Sequence, residues 1–184
     1  AATRGRVTVK NSTPKHLDSI TAKLREIGCD IEEFDEAVTV DARGKNLTRC
    51  NIKTMPHPGF PTDCQPQFVA MLTSCNGTSI INENVWDNRY QYISELQRMD
   101  AKISVEGRLA IIEGGTPLKP AQVKATDLRA GAAMIIAALT ADGTTVISNI
   151  HFIERGYEEV VEKFQQLGAD IKKVYDPEGE LAES

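Results

Sequence analysis

The sequence predicts an α/β (α+β) fold of three repeated units, with apolar helices buried at the centre, strands outside them and the first unit incomplete. Three observations carry this. A strand-like block recurs at Gly5-Arg6-Val7-Thr8-Val9, Gly77-Thr78-Ser79-Ile80-Ile81 and Gly143-Thr144-Thr145-Val146-Ile147. Each copy closes on a related run, Leu24-Arg25-Glu26-Ile27-Gly28-Cys29-Asp30-Ile31, Leu96-Gln97-Arg98-Met99-Asp100-Ala101-Lys102-Ile103 and Phe164-Gln165-Gln166-Leu167-Gly168-Ala169-Asp170-Ile171. Repeats of this size mean supersecondary blocks that share a core with their neighbours. The helices are of two kinds, amphipathic and wholly apolar, and the strand candidates between them are short.

Taken in chain order, residues 6–10 alternate Val7 and Val9 with polar partners, as a half-buried strand does. Leu17, Ile20, Leu24 and Ile27 then form one helical stripe, with charged residues on the other faces. Val38 and Val40 mark a strand at 37–41. The segment Pro56-His57-Pro58-Gly59-Phe60-Pro61-Thr62-Asp63 is a loop stiffened by prolines that delivers a carboxylate to a helix start. That helix is expected over 63–76, with Thr62 as N-cap and Gln65 completing a capping box. Strands follow at 79–82, 101–105 and 109–113, with the second repeat's amphipathic segment before them ending at Leu96-Gln97-Arg98.

A second Thr-Asp pair, Thr126-Asp127, opens a helix expected over 127–142. Its segment Ala130 to Leu139 is apolar all round and is therefore expected to be buried on every face. A strand at 144–148, an amphipathic helix through Tyr157, Val160, Val161, Phe164 and Leu167, and a strand at 170–174 complete the third unit. The first unit lacks an inner helix before Gly5, and the chain has no initiator Met. It is therefore expected to be a piece of a longer polypeptide. One domain is expected over 1–175, with a flexible acidic tail at 176–184. A two-layer α+β sandwich would give a similar string and stays open.

Composition excludes several classes of function. The 184 residues are 41% apolar and 26% charged, ordinary for a water-exposed globular domain. A net charge of −5 without a basic stripe argues against nucleic-acid binding. No apolar run reaches the roughly 18 residues of a membrane span, so membrane insertion is not expected. Cys29, Cys50, Cys64 and Cys75 lack CxxC spacing, which points away from zinc or a disulfide framework and toward a cytoplasmic setting. His16, His57 and His151 share no metal-ligand spacing, and no metal or tightly bound organic cofactor is expected.

The candidate chemistry lies at the two Thr-Asp pairs and in three arginines. Asp63 and Asp127 sit where a helix N-terminus stabilises negative charge. Arg89 and Arg155 occupy equivalent places in their repeats, and Arg129 lies in the first turn after Asp127. Three guanidiniums near inner-helix ends suit a ligand with several negative charges. Cys64, at a helix start, is read as a small packing residue, although a thiol pKa can fall there. Trp86 and Tyr90 flank the Asp87-Asn88-Arg89 turn and are read as packing residues.

Four motifs, Pro56 to Asp63, Asn84-Val85-Trp86-Asp87-Asn88-Arg89-Tyr90, Ala125-Thr126-Asp127-Leu128-Arg129-Ala130 and Arg155-Gly156-Tyr157-Glu158, together resemble UDP-N-acetylglucosamine 1-carboxyvinyltransferases, from about Arg4 to Val174. The resemblance implies an inside-out α/β barrel of three units, forming most of the C-terminal domain of a two-domain enolpyruvyl transferase of peptidoglycan synthesis. It implies UDP-N-acetylglucosamine and phosphoenolpyruvate as substrates and the missing N-terminal domain as partner. Asp63 would bind the sugar 3-hydroxyl as candidate general base, and Val85 would touch the sugar nucleotide through its backbone. Arg89, Arg129 and Arg155 would face phosphoenolpyruvate, with Asp127 orienting them. The family's catalytic cysteine belongs to the other domain, so this chain alone is expected to be inactive. Alternatives are the related 3-phosphoshikimate 1-carboxyvinyltransferase and a non-catalytic ligand-binding module.

Overall fold

The second unit is the complete one and defines the pattern. In the computed structural model, which describes residues 1–175, it runs β4 (Ile52–Lys53), α2 (Gln65–Leu72), β5 (Gly77–Asn82), α3 (Ile93–Arg98), β6 (Lys102–Glu106) and β7 (Leu109–Gly114). The sheet order is β4-β5-β7-β6, with β4 parallel to β5 and the remaining pairs antiparallel. The first unit contributes β1 (Arg6–Lys10), α1 (Asp18–Ile27), β2 (Asp30–Phe34) and β3 (Ala37–Asp41), an antiparallel sheet ordered β1-β3-β2. Among the described residues it has no counterpart of β4 and α2. The third unit contributes β8 (Gln122–Lys124), α4 (Leu128–Thr140), β9 (Val146–Ser148), α5 (His151–Glu154) and α6 (Val160–Gln166), with β8 parallel to β9.

The helices α2 and α4 pack together at the centre and the sheets lie outside them, an inside-out α/β arrangement. Phe68, Val69, Ala70, Met71 and Leu72 of α2 are buried, as are Ala130, Ala133, Met134 and Ala137 of α4. Each fully buried Val, Leu, Met or Phe is worth roughly 1.5–3 kcal/mol, so the inner pair is a substantial part of the core, alongside Ile81, Leu96, Met99 and Ile112 from the elements around it. Small residues let the elements approach closely: a Cβ on Gly114 would lie 2.0 Å from the Cys75 carbonyl oxygen and 2.5 Å from that of Leu72.

Several expectations are corrected. The segment 170–174 forms no strand. In the first two units the strand after the amphipathic helix pairs with the strand that follows it, β2 with β3 and β6 with β7, and the described residues contain no such partner after 174. The helix α4 is not buried on every face: Ala132, Ile136 and Leu139 stay partly exposed, because α2 is the one inner helix that packs beside it among the described residues. The helix expected over 63–76 is the shorter α2, preceded by a 3-10 turn over Thr62–Cys64. The tail at 176–184 lies outside the described residues.

Candidate functional site

The proline-rich approach loop is anchored by Phe60, 5% exposed, whose ring meets Phe68 of α2 edge to face with centroids 4.9 Å apart. Such a pair adds about 0.5–1.5 kcal/mol beyond area burial. Within the loop the His57-Pro58 bond is cis, and the Gly59 amide donates to the Pro56 carbonyl. This fixes the chain just before Asp63.

The expected capping box does not form. The Thr62 hydroxyl donates to Glu83 Oε2 at 2.9 Å, and Gln65 Oε1 accepts from the Tyr92 hydroxyl at 2.7 Å. Both side chains are drawn to partners far along the chain, and α2 starts instead on a 3-10 turn, with Pro66 in its first turn, where the missing N–H costs nothing.

Asp63 is thereby left half-exposed, its two oxygens on different guanidiniums. Oδ1 accepts from Arg89 and Oδ2 from Arg129, each at 2.8 Å. Arg89 comes from the loop after β5 and Arg129 from the first turn of α4, so the carboxylate ties the second unit to the third. Asp127 is the N-cap of α4: its Oδ1 accepts from the backbone N–H groups of Arg129 and Ala130 at 2.8 and 2.9 Å. It acts on Arg129 through the backbone of the helix start.

Arg155 is not brought into this ion-pair cluster. Its guanidinium lies over the Phe152 ring, 5.1 Å from the centroid. Its backbone is nonetheless held against α4, since a Cβ on Gly131 would lie 2.4 Å from Ile153 Cγ1 and one on Gly156 2.5 Å from Leu128 Cδ2. Val85 is exposed, and its N–H donates to Glu83 Oε1 at 2.9 Å. Tyr90 pins the same loop by donating its hydroxyl to the Ile81 or Arg108 carbonyl, and burial pushes its pKa up to about 12. Trp86, read from sequence as packing, is instead 59% exposed.

None of the four cysteines is an activated thiol. Burial raises them all, Cys50 to about 12 and Cys75 to about 11. At Cys64 the neighbouring Asp63 charge adds to burial, so the fall that a helix start can give does not occur. Among the described residues no group of His, Cys, Asp and Glu could hold a metal ion, and no helix is long and apolar enough to cross a membrane. Sequence reasoning passed over Glu83, 1% exposed, which joins the two loops of the site; its only local signal is an acid directly following an apolar strand.

Comparison with known proteins agrees with the fold. Residues 1–164 match the family model described as EPSP synthase (3-phosphoshikimate 1-carboxyvinyltransferase). UDP-N-acetylglucosamine 1-carboxyvinyltransferase 2 of Clostridium acetobutylicum is 53% identical over 173 residues, covering 94% of this chain and 41% of that protein. A UDP-N-acetylglucosamine 1-carboxyvinyltransferase of Desulfofundulus thermocisternus is 51% identical, covering 93% of this chain and 70% of its own length. Among solved structures, the enolpyruvyl transferase NikO of Streptomyces tendae superposes with a TM-score of 0.83 at 28% identity, covering 91% of this chain and 40% of that one. An EPSP synthase of Acinetobacter baumannii shares the fold, with a TM-score of 0.68 at 17% identity over 93% of this chain and 40% of its own. The chain thus spans about two fifths of the length of the first of these relatives. It belongs to the EPSP synthase family of enolpyruvyl transferases, among the UDP-N-acetylglucosamine 1-carboxyvinyltransferases.

Proposed function

We propose that this chain is the C-terminal part of a cytoplasmic enolpyruvyl transferase of peptidoglycan synthesis, which moves the enolpyruvyl group of phosphoenolpyruvate to the 3-hydroxyl of UDP-N-acetylglucosamine and releases phosphate. The observation that carries the reading is the Asp63 carboxylate held between Arg89 and Arg129 at 2.8 Å on each side, at the start of an inner helix. A carboxylate within reach of a hydroxyl can accept its proton, and convergent guanidiniums stabilise charge on a transferred phosphoryl-bearing group.

In this reading an incoming carboxylate or phosphate competes for Arg89 and Arg129 and frees Asp63 to take the 3-hydroxyl proton as that oxygen bonds to the enolpyruvyl carbon. Arg155 joins the anion from the neighbouring unit, and Asp127 keeps Arg129 in register through the α4 cap. With the Val85 N–H engaged by Glu83, its backbone contact to the sugar nucleotide falls to the carbonyl. The shikimate-directed alternative is not favoured: half-identical relatives carry the sugar-nucleotide name, and the EPSP synthase structure is 17% identical.

The chain alone is inactive in this reading, because the cysteine that the family uses lies in the other domain and the thiols here are buried or shielded. The test is phosphate release from phosphoenolpyruvate and UDP-N-acetylglucosamine, with the N-terminal half supplied as a separate chain and each half alone as control. Release that requires both halves supports the assignment. No release from a mixture shown to associate rejects it in favour of a ligand-binding module.

A further inference from the structure

Glu83 directly follows β5 and is 1% exposed, yet it is an acid. A buried carboxylate persists only where donors replace its water. Here Oε1 accepts from the Thr54 hydroxyl at 2.7 Å, the Val85 N–H at 2.9 Å and the Trp86 N–H at 3.2 Å, while Oε2 accepts from the Thr62 hydroxyl at 2.9 Å. These donors are all neutral, and they come from three separate segments: the end of β4, the proline-rich loop and the loop after β5. Thr54 adds a link of its own, accepting from the Asn84 N–H at 2.8 Å. Thr62 immediately precedes Asp63, and the Val85–Trp86 turn leads to Arg89. One buried side chain therefore sets both ends of the Asp63–Arg89 ion pair.

We infer that Glu83 is a positioning residue for the proposed transfer: its carboxylate latches the loop that carries Asp63 to the loop that carries Val85 and Arg89. A plain packing role would not need an acid, since an apolar residue of similar volume fills such a space without desolvation cost. A carboxylate offers acceptor sites in two directions, and the four hydrogen bonds use both oxygens. The latch stands on the structure alone; its catalytic consequence rests on the function proposed above.

The test separates the two. Thr62→Val keeps the side-chain shape and removes one arm of the latch, and Thr62→Ser restores it. In the chain by itself, Thr62→Val is expected to move the amide NMR signals of Val85 and Trp86 and to speed their hydrogen exchange, whereas Thr62→Ser leaves both near the parent. In the enzyme assembled with its N-terminal half, Thr62→Val is expected to lower kcat by about 10- to 100-fold, the cost of a small misplacement of a reacting group, and to lower the melting temperature by several degrees, because the buried Glu83 Oε2 loses its donor. Glu83→Gln, at a side chain 1% exposed, is expected to lower kcat by a smaller factor, about 3- to 10-fold, because its amide keeps one acceptor oxygen. Thr62→Ser is expected to recover most of the turnover.

Unmoved Val85 and Trp86 signals in Thr62→Val overturn the latch. Moved signals with undiminished kcat in both Thr62→Val and Glu83→Gln overturn the positioning role. A Thr62→Val effect confined to KM, with Glu83→Gln at parental kcat, assigns Thr62 to ligand contact and likewise overturns it. Moved signals with no turnover even from the parent assembly reject the transferase reading and leave the latch as structure only.

Discussion

Gly131→Ala tests how closely α5 packs on α4. The added methyl would lie 2.4 Å from Cγ1 and 3.0 Å from Cδ1 of Ile153, and 3.3 Å from Cβ of Ala125. Ile153 is 3% exposed and packs in a buried cluster with Ala125 and Ile135. Alanine gains about 1 kcal/mol over glycine in a helix interior, while overpacking a filled core costs about 1–3 kcal/mol. The contact is closer than real Cβ atoms tolerate, so the upper part of that range applies, for a net loss of about 1–2 kcal/mol and roughly 2–8 °C in melting temperature. The short helix α5 is the element free to move, and it carries Arg155 at its end. Ile153→Ala alone opens a cavity at a cost of about 2–5 kcal/mol. In the double variant the new methyl enters that space, so the combined loss should fall short of the sum by about 1–3 kcal/mol. Urea unfolding of the parent, both single variants and the double variant measures this directly. Additivity within about 0.5 kcal/mol, or a Gly131→Ala chain more stable than the parent, would refute the reasoning.

Gly114→Ala should cost about 3 kcal/mol or abolish folding, because its neighbours at 2.0 and 2.5 Å are backbone carbonyls that cannot rotate away; circular dichroism and thermal unfolding decide it. At pH 7.5 iodoacetamide should modify the native chain at least about 10-fold more slowly than the urea-unfolded chain, since burial raises every thiol; fast labelling of a single cysteine in the native chain would contradict this. The Asp41 carboxyl is held at about 2 by hydrogen bonds from the Arg43 side chain and backbone and by the nearby guanidiniums. A depressed folded-state pKa contributes stability that is present above the ordinary carboxylate value and is lost as pH falls through about 2. Asp41→Asn should therefore flatten the dependence of stability on pH between about 4 and 2, read from urea midpoints across that interval.

The parts of the fold legible in the sequence are those whose signal is local. Val7 and Val9, or Ile103 and Val105, alternate along one strand, and the Leu17 stripe repeats along one helix. The strands β4 and β8 were not legible because they span two and three residues, too few to show a period, and exist only through parallel pairing with β5 and β9. The segment at 170–174 shows the converse, since its pattern is right and its ladder partner is missing. At the site, Asp63 was legible from its repeated Thr-Asp pair, Arg89 from its match to Arg155 and Arg129 from its place in the first turn after Asp127; the structure places the three side chains in ion pairs. The loss of the Thr62 cap was not, because its cause is an acid 21 residues away in sequence that becomes a neighbour only when the two loops meet. Arg155 followed the repeat in position but not in contact, its guanidinium resting on Phe152.

The way Asp63 is held makes one consequence of the proposed function specific. A base that spends each oxygen on a different guanidinium competes with the anion those guanidiniums are meant to bind. Asp63→Ala removes the competitor as well as the base. Each of the two ion pairs is worth about 0.2–1 kcal/mol, so the freed arginines should hold phosphoenolpyruvate about 2- to 30-fold more tightly in the assembled enzyme. Turnover should fall in the same variant by about 100- to 10,000-fold, the usual contribution of a positioned proton acceptor. The melting temperature should change by no more than a few degrees, because Asp63 is 52% exposed and ion pairs to so exposed a carboxylate add little stability. Calorimetric titration with phosphoenolpyruvate alongside steady-state kinetics reads both quantities. Weaker binding joined to lost turnover would mean that Asp63 holds the arginines ready for the anion; tighter binding joined to lost turnover identifies it as the group the anion displaces toward the hydroxyl.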